Sequence, residues 1–191
     1  MARGRLRSRR QVVERCRALA DLVGPSLVRG NGGSERLEAL WQGEGLGVLL
    51  WTFALAELPP YDRAFPHAAL VRVDPGEARL RPVEEIADAR EAARLWLWRA
   101  RTADVVADAM VELPAPWESF DQLIAATAMR GHEQGLLPAP FRGDFPAFGA
   151  AYRALDDEQR VEAMAIAWER CRAFAWLLGA GPGWDEVVVD T

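Results

Sequence analysis

Residues 34–58 read SERLEALWQGEGLGVLLWTFALAEL. From Leu46 onward nearly every position is apolar, which marks a helix buried on all sides. Trp41, Glu44, Val48, Trp51 and Leu55 are spaced by threes and fours and share one face. Glu44 is the exception there: a carboxylate in apolar surroundings must find a partner or hold a proton. Gly43, Gly45 and Gly47 each weaken the helix by about 1 kcal/mol relative to alanine. They kink it, split it or admit a close neighbour, and Pro59-Pro60 ends it. The expectation is a central helix from Ser34 to Leu58.

The chain around this stretch reads as helical. Ser8 caps a helix to Val23 with Val12, Cys16, Leu19 and Val23 as its stripe, and Gly24-Pro25 stops it. Residues 61–81 read as loop, with one short extended piece at Leu70–Val73. Pro82 opens a long helix to Met110 that buries Ile86, Ala89, Ala93, Trp96, Ala100 and Ala107, with Arg94 over Trp98. A further helix spans Trp117–Gln134 and closes at Gly135. Residues 136–151 form a Pro, Gly and Phe-rich loop, too long for an idle turn. Asp156 caps the last helix, which runs to Leu178. That helix carries two apolar lines: Val161, Met164, Trp168, Cys171, Ala175 and Leu178, and Ala163, Ile166, Ala167, Phe174 and Leu177 with Arg170 among them. The tail carries Trp184 and Val187–Val189, an anchoring strap. The fold class is all-α: a single compact bundle of five to six helices around a buried central helix, with at most one short strand pair. Residues 1–10 are a basic arm and 11–191 one helical domain.

Composition narrows the chemistry. The chain has 191 residues and a formal charge of -5, so no global charge draws it to nucleic acid or anionic lipid. All 23 basic residues are arginine, which excludes a lysine Schiff base or P-loop lysine. Cys16 and Cys171 behave as small apolar residues and point to a reducing, cytoplasmic compartment. His67 and His132 lack neighbours at metal-ligand spacing, and no metal or other cofactor is expected. MARGRLRSRR resembles a twin-arginine export signal without its apolar run, so export is rejected and the arm reads as solvated. Contact of this arm with nucleic acid is the alternative. The loop Arg29-Gly-Asn-Gly-Gly-Ser34 precedes a helix and offers a weak phosphate cradle against a plain flexible connection. No membrane-spanning stretch is expected.

Several ordered motifs resemble a known family. They are Glu169-Arg170-Cys171-Arg172-Ala173-Phe174-Ala175-Trp176-Leu177, Trp184-Asp185 and Asp190-Thr191; Trp41 and Glu44 with Leu46–Trp51 and Glu57-Leu58-Pro59-Pro60; Leu95–Arg99; and Gly143–Gly149. Together they are similar to the bacterial domain of unknown function four-two-seven-two, over most of the chain after Ser8. The resemblance implies a helical domain without an established activity. It implies that a shared site would draw on Glu44, Arg99, Glu169, Arg170, Trp176, Trp184 and Asp185. It also implies losses: Leu97, Cys171 and Ala175 stand where the family commonly has two histidines and an asparagine.

Two functions remain. The leading one is a non-enzymatic binding or adaptor protein with a possible protein partner, since eight tryptophans with arginines resemble interface hot spots. The other is a small hydrolase or transferase with Glu44 as acid or base in a pocket between the central and last helices, and Arg99 or Arg170 on an anionic substrate. Arg142 and Asp144 on the long loop are further binding candidates. Glu44 is expected to pair with Arg170, Arg99 or Arg101.

Overall fold

The computed structural model describes residues 6–28, 34–107, 113 and 115–189. Among them are α1 (Arg9–Val28), α2 (Ser34–Trp51), the single turn α3 (His67–Leu70), α4 (Val83–Ala107), α5 (Phe120–Glu133) and α6 (Asp157–Leu177). The described strands are β1 (Pro146–Ala147) and β2 (Ala150–Ala151), an antiparallel pair. The protein is therefore a mainly-α bundle with one short strand pair. α2 packs against α1 on one side and α6 on another, and α4 covers α6. Residues 43–50 of α2 are all buried, as an apolar run at the centre of a bundle requires.

The three glycines of α2 admit close neighbours. A Cβ on Gly43 would strike the His67 ring, one on Gly47 the Phe65 ring, and one on Gly45 would sit 2.8 Å from Trp184. α2 is thus clamped by the 65–67 segment on one side and by the C-terminal strap on the other. Trp184 and Val189 of that strap are buried.

α2 ends seven residues before the expected Leu58. Leu55 N donates to Leu50 O, Ala54 N donates to Trp51 O, and Ala54 turns left-handed at φ 56°. These are the bonds of a Schellman cap, with alanine in place of the usual glycine. Arg81 completes it: its Nε donates to Trp51 O at 2.8 Å, its backbone N donates to Thr52 O, and its guanidinium lies over the Trp51 ring.

Other boundaries also differ from expectation. α1 runs past Gly24-Pro25 to Val28. Pro25 lies within a turn of the end, and Asp21, whose carbonyl loses its intrahelical donor, is exposed to water. The extended piece expected at Leu70–Val73 is instead the end of α3 and a turn. α5 starts at Phe120, where Ser119 caps it by accepting from Gln122 N. The ends expected at Met110 and the glycine-rich loop 29–33 lie outside the described residues, as do Ala107's side chain, Asp190 and Thr191. Arg94 pairs with Glu91 and Trp98 tilts against Phe145, in place of a stack of Arg94 on Trp98.

The basic arm is shorter than expected. Arg9 and Arg10 belong to α1, and Arg7 is tied down: its backbone N donates to Leu177 O, its Nε donates to Trp176 O, and its guanidinium covers the Trp176 ring. Arginine donors serve the carbonyls left open at the C-terminal end of α6. Residues 1–5 lie outside the described residues. Among the described residues no helix is long and apolar enough to cross a membrane.

Candidate functional site

The residues singled out from sequence divide into two buried ion-pair centres and one open cleft. At the first centre Glu44 is 2% exposed. Its Oε1 accepts from Phe65 N at 2.7 Å and lies 2.9 Å from His67 Nε2, while Oε2 accepts from Arg170 Nε at 2.9 Å. Arg170 also donates to the carbonyls of Pro59, Pro60 and Arg63, and its guanidinium lies against the rings of Tyr61 and Phe65. Burial alone would push the Glu44 carboxyl up; His67, Arg170 and the Phe65 N–H outweigh it and hold it below the usual carboxylate range. Of the three arginines the sequence offered as its partner, the fold selects Arg170. The pair rivets α2, α6 and the 59–67 segment together.

The second centre joins α4 to the long loop. Arg99 grips Asp144 with two parallel bonds, Nε to Oδ1 at 2.7 Å and Nη2 to Oδ2 at 2.8 Å. Asp144 also accepts from the backbone N–H groups of Phe145 and Arg153. Burial would raise this carboxyl too, but Arg99 and the two N–H groups hold it low. Arg99 stacks on Tyr152. The loop reaches this geometry through two tight turns, with Arg142 and Gly143, then Phe148 and Gly149, in left-handed conformation. Each is a two-residue turn of the kind that suits a twisted antiparallel pair. The first closes Phe141 against Asp144.

These centres correct several sequence expectations. Glu44, Arg170 and Asp144 spend their hydrogen bonds on protein groups, and so do Arg99 Nε and Nη2, while Arg99 Nη1 is buried with no hydrogen-bond partner. Arg142 is exposed and lies over Phe141, separated from Asp144 by the turn that sends Asp144 inward. Trp176 and Trp184 are buried against each other edge to face, with Arg7, Arg15 and Arg172 over their outer surfaces. Asp185 is exposed and reaches Arg15 only at 3.8 Å. Leu97, Cys171 and Ala175 are all core residues. Burial pushes the Cys16 thiol up to about 12 and the Cys171 thiol to about 11, so neither is poised as a nucleophile.

The open cleft lies between the start of α2, the C-terminal part of α4 and the first half of α6. Its volume is about 380 Å³. Trp41, Ala103, Met164 and Trp168 form its walls, Tyr152 closes one side, and Glu169 and Arg160 bring charge to it. Of the two apolar lines on α6, one is buried against α2 and α4. The first half of the other lines this cleft through Val161, Met164 and Trp168, while its Cys171 and Ala175 are core: Val161 is 66% exposed and Trp168 38%, with Trp41, at 39%, also on the cleft wall. Arg101 lies over the Trp168 ring.

Glu169 differs from the other buried carboxylates. It is 8% exposed, and its Oε2 accepts from Arg172 Nη2 at 2.6 Å. Burial pushes this carboxyl up, and Arg172 only partly offsets it. Sequence reasoning named Glu169 and expected a pocket between the central and last helices, but placed Glu44 in it and missed its apolar lining. The available signal was the second apolar line on α6, more apolar surface than one helix buries in a bundle this size.

In comparisons with known proteins, no family model, no curated protein and no solved structure matches the chain.

Proposed function

We propose that this chain is a binding protein with no catalytic step, and that its ligand is a small molecule with an apolar body held in the cleft on α2, α4 and α6. One observation carries the reading: large apolar side chains from two helices, Trp41, Val161 and Trp168, stay exposed and converge on one concavity. Scattered exposed apolar residues need no explanation, but a convergent set in a concave site does. The volume, about 380 Å³, is at the small-ligand end of the usual range. The sealed state of Glu44 with Arg170, and of Asp144 with Arg99, also favours binding over a hydrolase or transferase at those carboxylates. The same proposal takes in the resemblance to family four-two-seven-two and a cytoplasmic location, which two buried free thiols suit.

The test is calorimetric titration with naphthylmethanol, a neutral apolar probe. The wild type is expected to bind it, with a negative heat-capacity change from buried apolar surface. Val161→Arg should abolish binding while leaving the urea midpoint within error, since that side chain is 66% exposed; Trp168→Ala should abolish binding too, with a lowered midpoint because most of that ring is buried. Absence of binding by the wild type, or unchanged binding by both variants, overturns the reading.

A further inference from the structure

We propose that a small oxyanion, carrying a carboxylate or a phosphate group, binds where α1 meets the C-terminal strap, in the concavity shared by Arg7, Arg15 and Trp184. This site is separate from the apolar cleft and does not depend on it.

The inference starts from donors that have no acceptor. Among the described residues six buried side-chain polar atoms lack a hydrogen-bond partner, and three of them meet at one indole: Trp184 Nε1, Arg15 Nε and Arg172 Nε. The Arg15 and Arg172 guanidiniums both lie over the Trp184 ring, 4.6 and 5.2 Å from its centroid. Trp184 itself is 4% exposed. Buried polar groups are seldom left without partners. Indole and guanidinium N–H groups donate and cannot accept, so what all three lack is an acceptor.

A concavity lies at the same place. Its volume is about 320 Å³, and Arg7, Glu14, Arg15, Trp176, Pro182 and Trp184 are among the residues that line it. Its charge balance favours an anion. Arg7 donates to the carbonyls of Trp176, Gly181 and Pro182, and none of these neutralises its charge. Arg15 reaches Asp185 only at 3.8 Å, and that carboxylate is 84% exposed to water. Burial lowers the Arg15 guanidinium below its ordinary value; Asp185 opposes the shift and the neighbouring Arg172 adds to it. Glu14 is engaged by Arg10 at 2.8 Å. An oxyanion in the concavity supplies the acceptor and compensates the two arginine charges together. The three nitrogens are covered as the side chains stand. The Arg15 side chain, 24% exposed and held by that one long pair, turns to admit the ligand.

Benzoate, phenyl phosphate and the neutral benzyl alcohol test this, titrated against isotope-labelled protein while the indole N–H resonances are followed by NMR. At least one of the two anions should bind roughly tenfold more tightly than the alcohol, the scale of one charge-assisted hydrogen bond. The tighter of the two identifies the oxyanion. It should move the Trp184 indole proton downfield, the resonance that disappears in Trp184→Phe. Arg15→Met keeps an apolar side chain over the indole and should remove the preference for the anion; Arg15→Lys should recover part of it. The Arg15 variants decide the case where Trp184→Phe fails to fold, because that side chain is partly exposed. Failure of both anions to bind, equal affinity for anions and alcohol in the wild type, or a preference that survives in Arg15→Met overturns the assignment.

Discussion

Glu44 and Glu169 are both buried glutamates on helices that pack together, each beside an arginine of α6. One oxygen of Glu44 takes two donors and the other takes Arg170, whose remaining N–H groups go to three backbone carbonyls. Glu169 pairs with Arg172, one turn along its own helix. A local i,i+3 pair fixes little beyond itself, whereas the Glu44–Arg170 pair spans 126 residues of sequence and positions three segments. The same ion types therefore serve as a rivet between segments in one place and as a local pair within one helix in the other.

The comparison breaks most visibly by removing the rivet. Glu44→Ala leaves the Arg170 charge buried without its counter-ion, and should cost about 3–5 kcal/mol. Urea denaturation followed by circular dichroism measures it. A loss under 1 kcal/mol would mean that the Arg170 carbonyl contacts alone satisfy that guanidinium.

Next in size is Gly47→Ala. Elsewhere in a helix this change gains about 1 kcal/mol. Here the added methyl meets the Phe65 ring, and Phe65 also donates its N–H to Glu44. Overpacking of this kind costs roughly 1–3 kcal/mol, so the sign should reverse. The same urea experiment reads it.

The two carboxylates should also respond to pH with opposite signs. Glu44 and Asp144 are held below their ordinary range, so their stabilisation is complete above the usual carboxylate value and is lost as pH falls through their lowered folded values. Glu169 is raised, so the folded chain holds its proton where the unfolded chain has released it. Its term favours the fold below the usual glutamate value and is lost as pH rises through the raised one. Unfolding free energies across the acid range, for wild type, Glu44→Gln and Glu169→Gln, separate these terms. Relative to wild type, Glu169→Gln should gain stability as pH rises through that upper window, while the deficit of Glu44→Gln should shrink as pH falls.

Much of this architecture was legible in the sequence because it is local. The cap at Asp156, and the periodic faces of α1, α4 and α6, depend on residues a few positions apart. Even the Glu44–Arg170 pair was readable, since each residue interrupts an apolar line and such interruptions must find one another. What escaped is non-local. α2 stops at Trp51 partly because Arg81, thirty residues on, takes its last carbonyls. Asp144 looks like a loop carboxylate until Arg99, 45 residues away, claims it. The lining of the cleft escaped for a different reason. The two apolar lines on α6 have equal helical periodicity, and only the placement of α2 and α4 decides which one is covered.

The smallest expected effect sharpens the comparison most. Glu169→Gln at neutral pH removes one good hydrogen bond to Arg172 and also removes a poorly solvated charge. The two contributions oppose each other, and the Arg172 guanidinium keeps its stacking on Trp184 and part of its exposure to water. The net change should be within about 1 kcal/mol, against several for Glu44→Ala. A large loss would place Glu169 with Glu44 as a fold-holding residue. A near-zero change, or a gain, marks a carboxylate whose ionisation the fold itself does not reward.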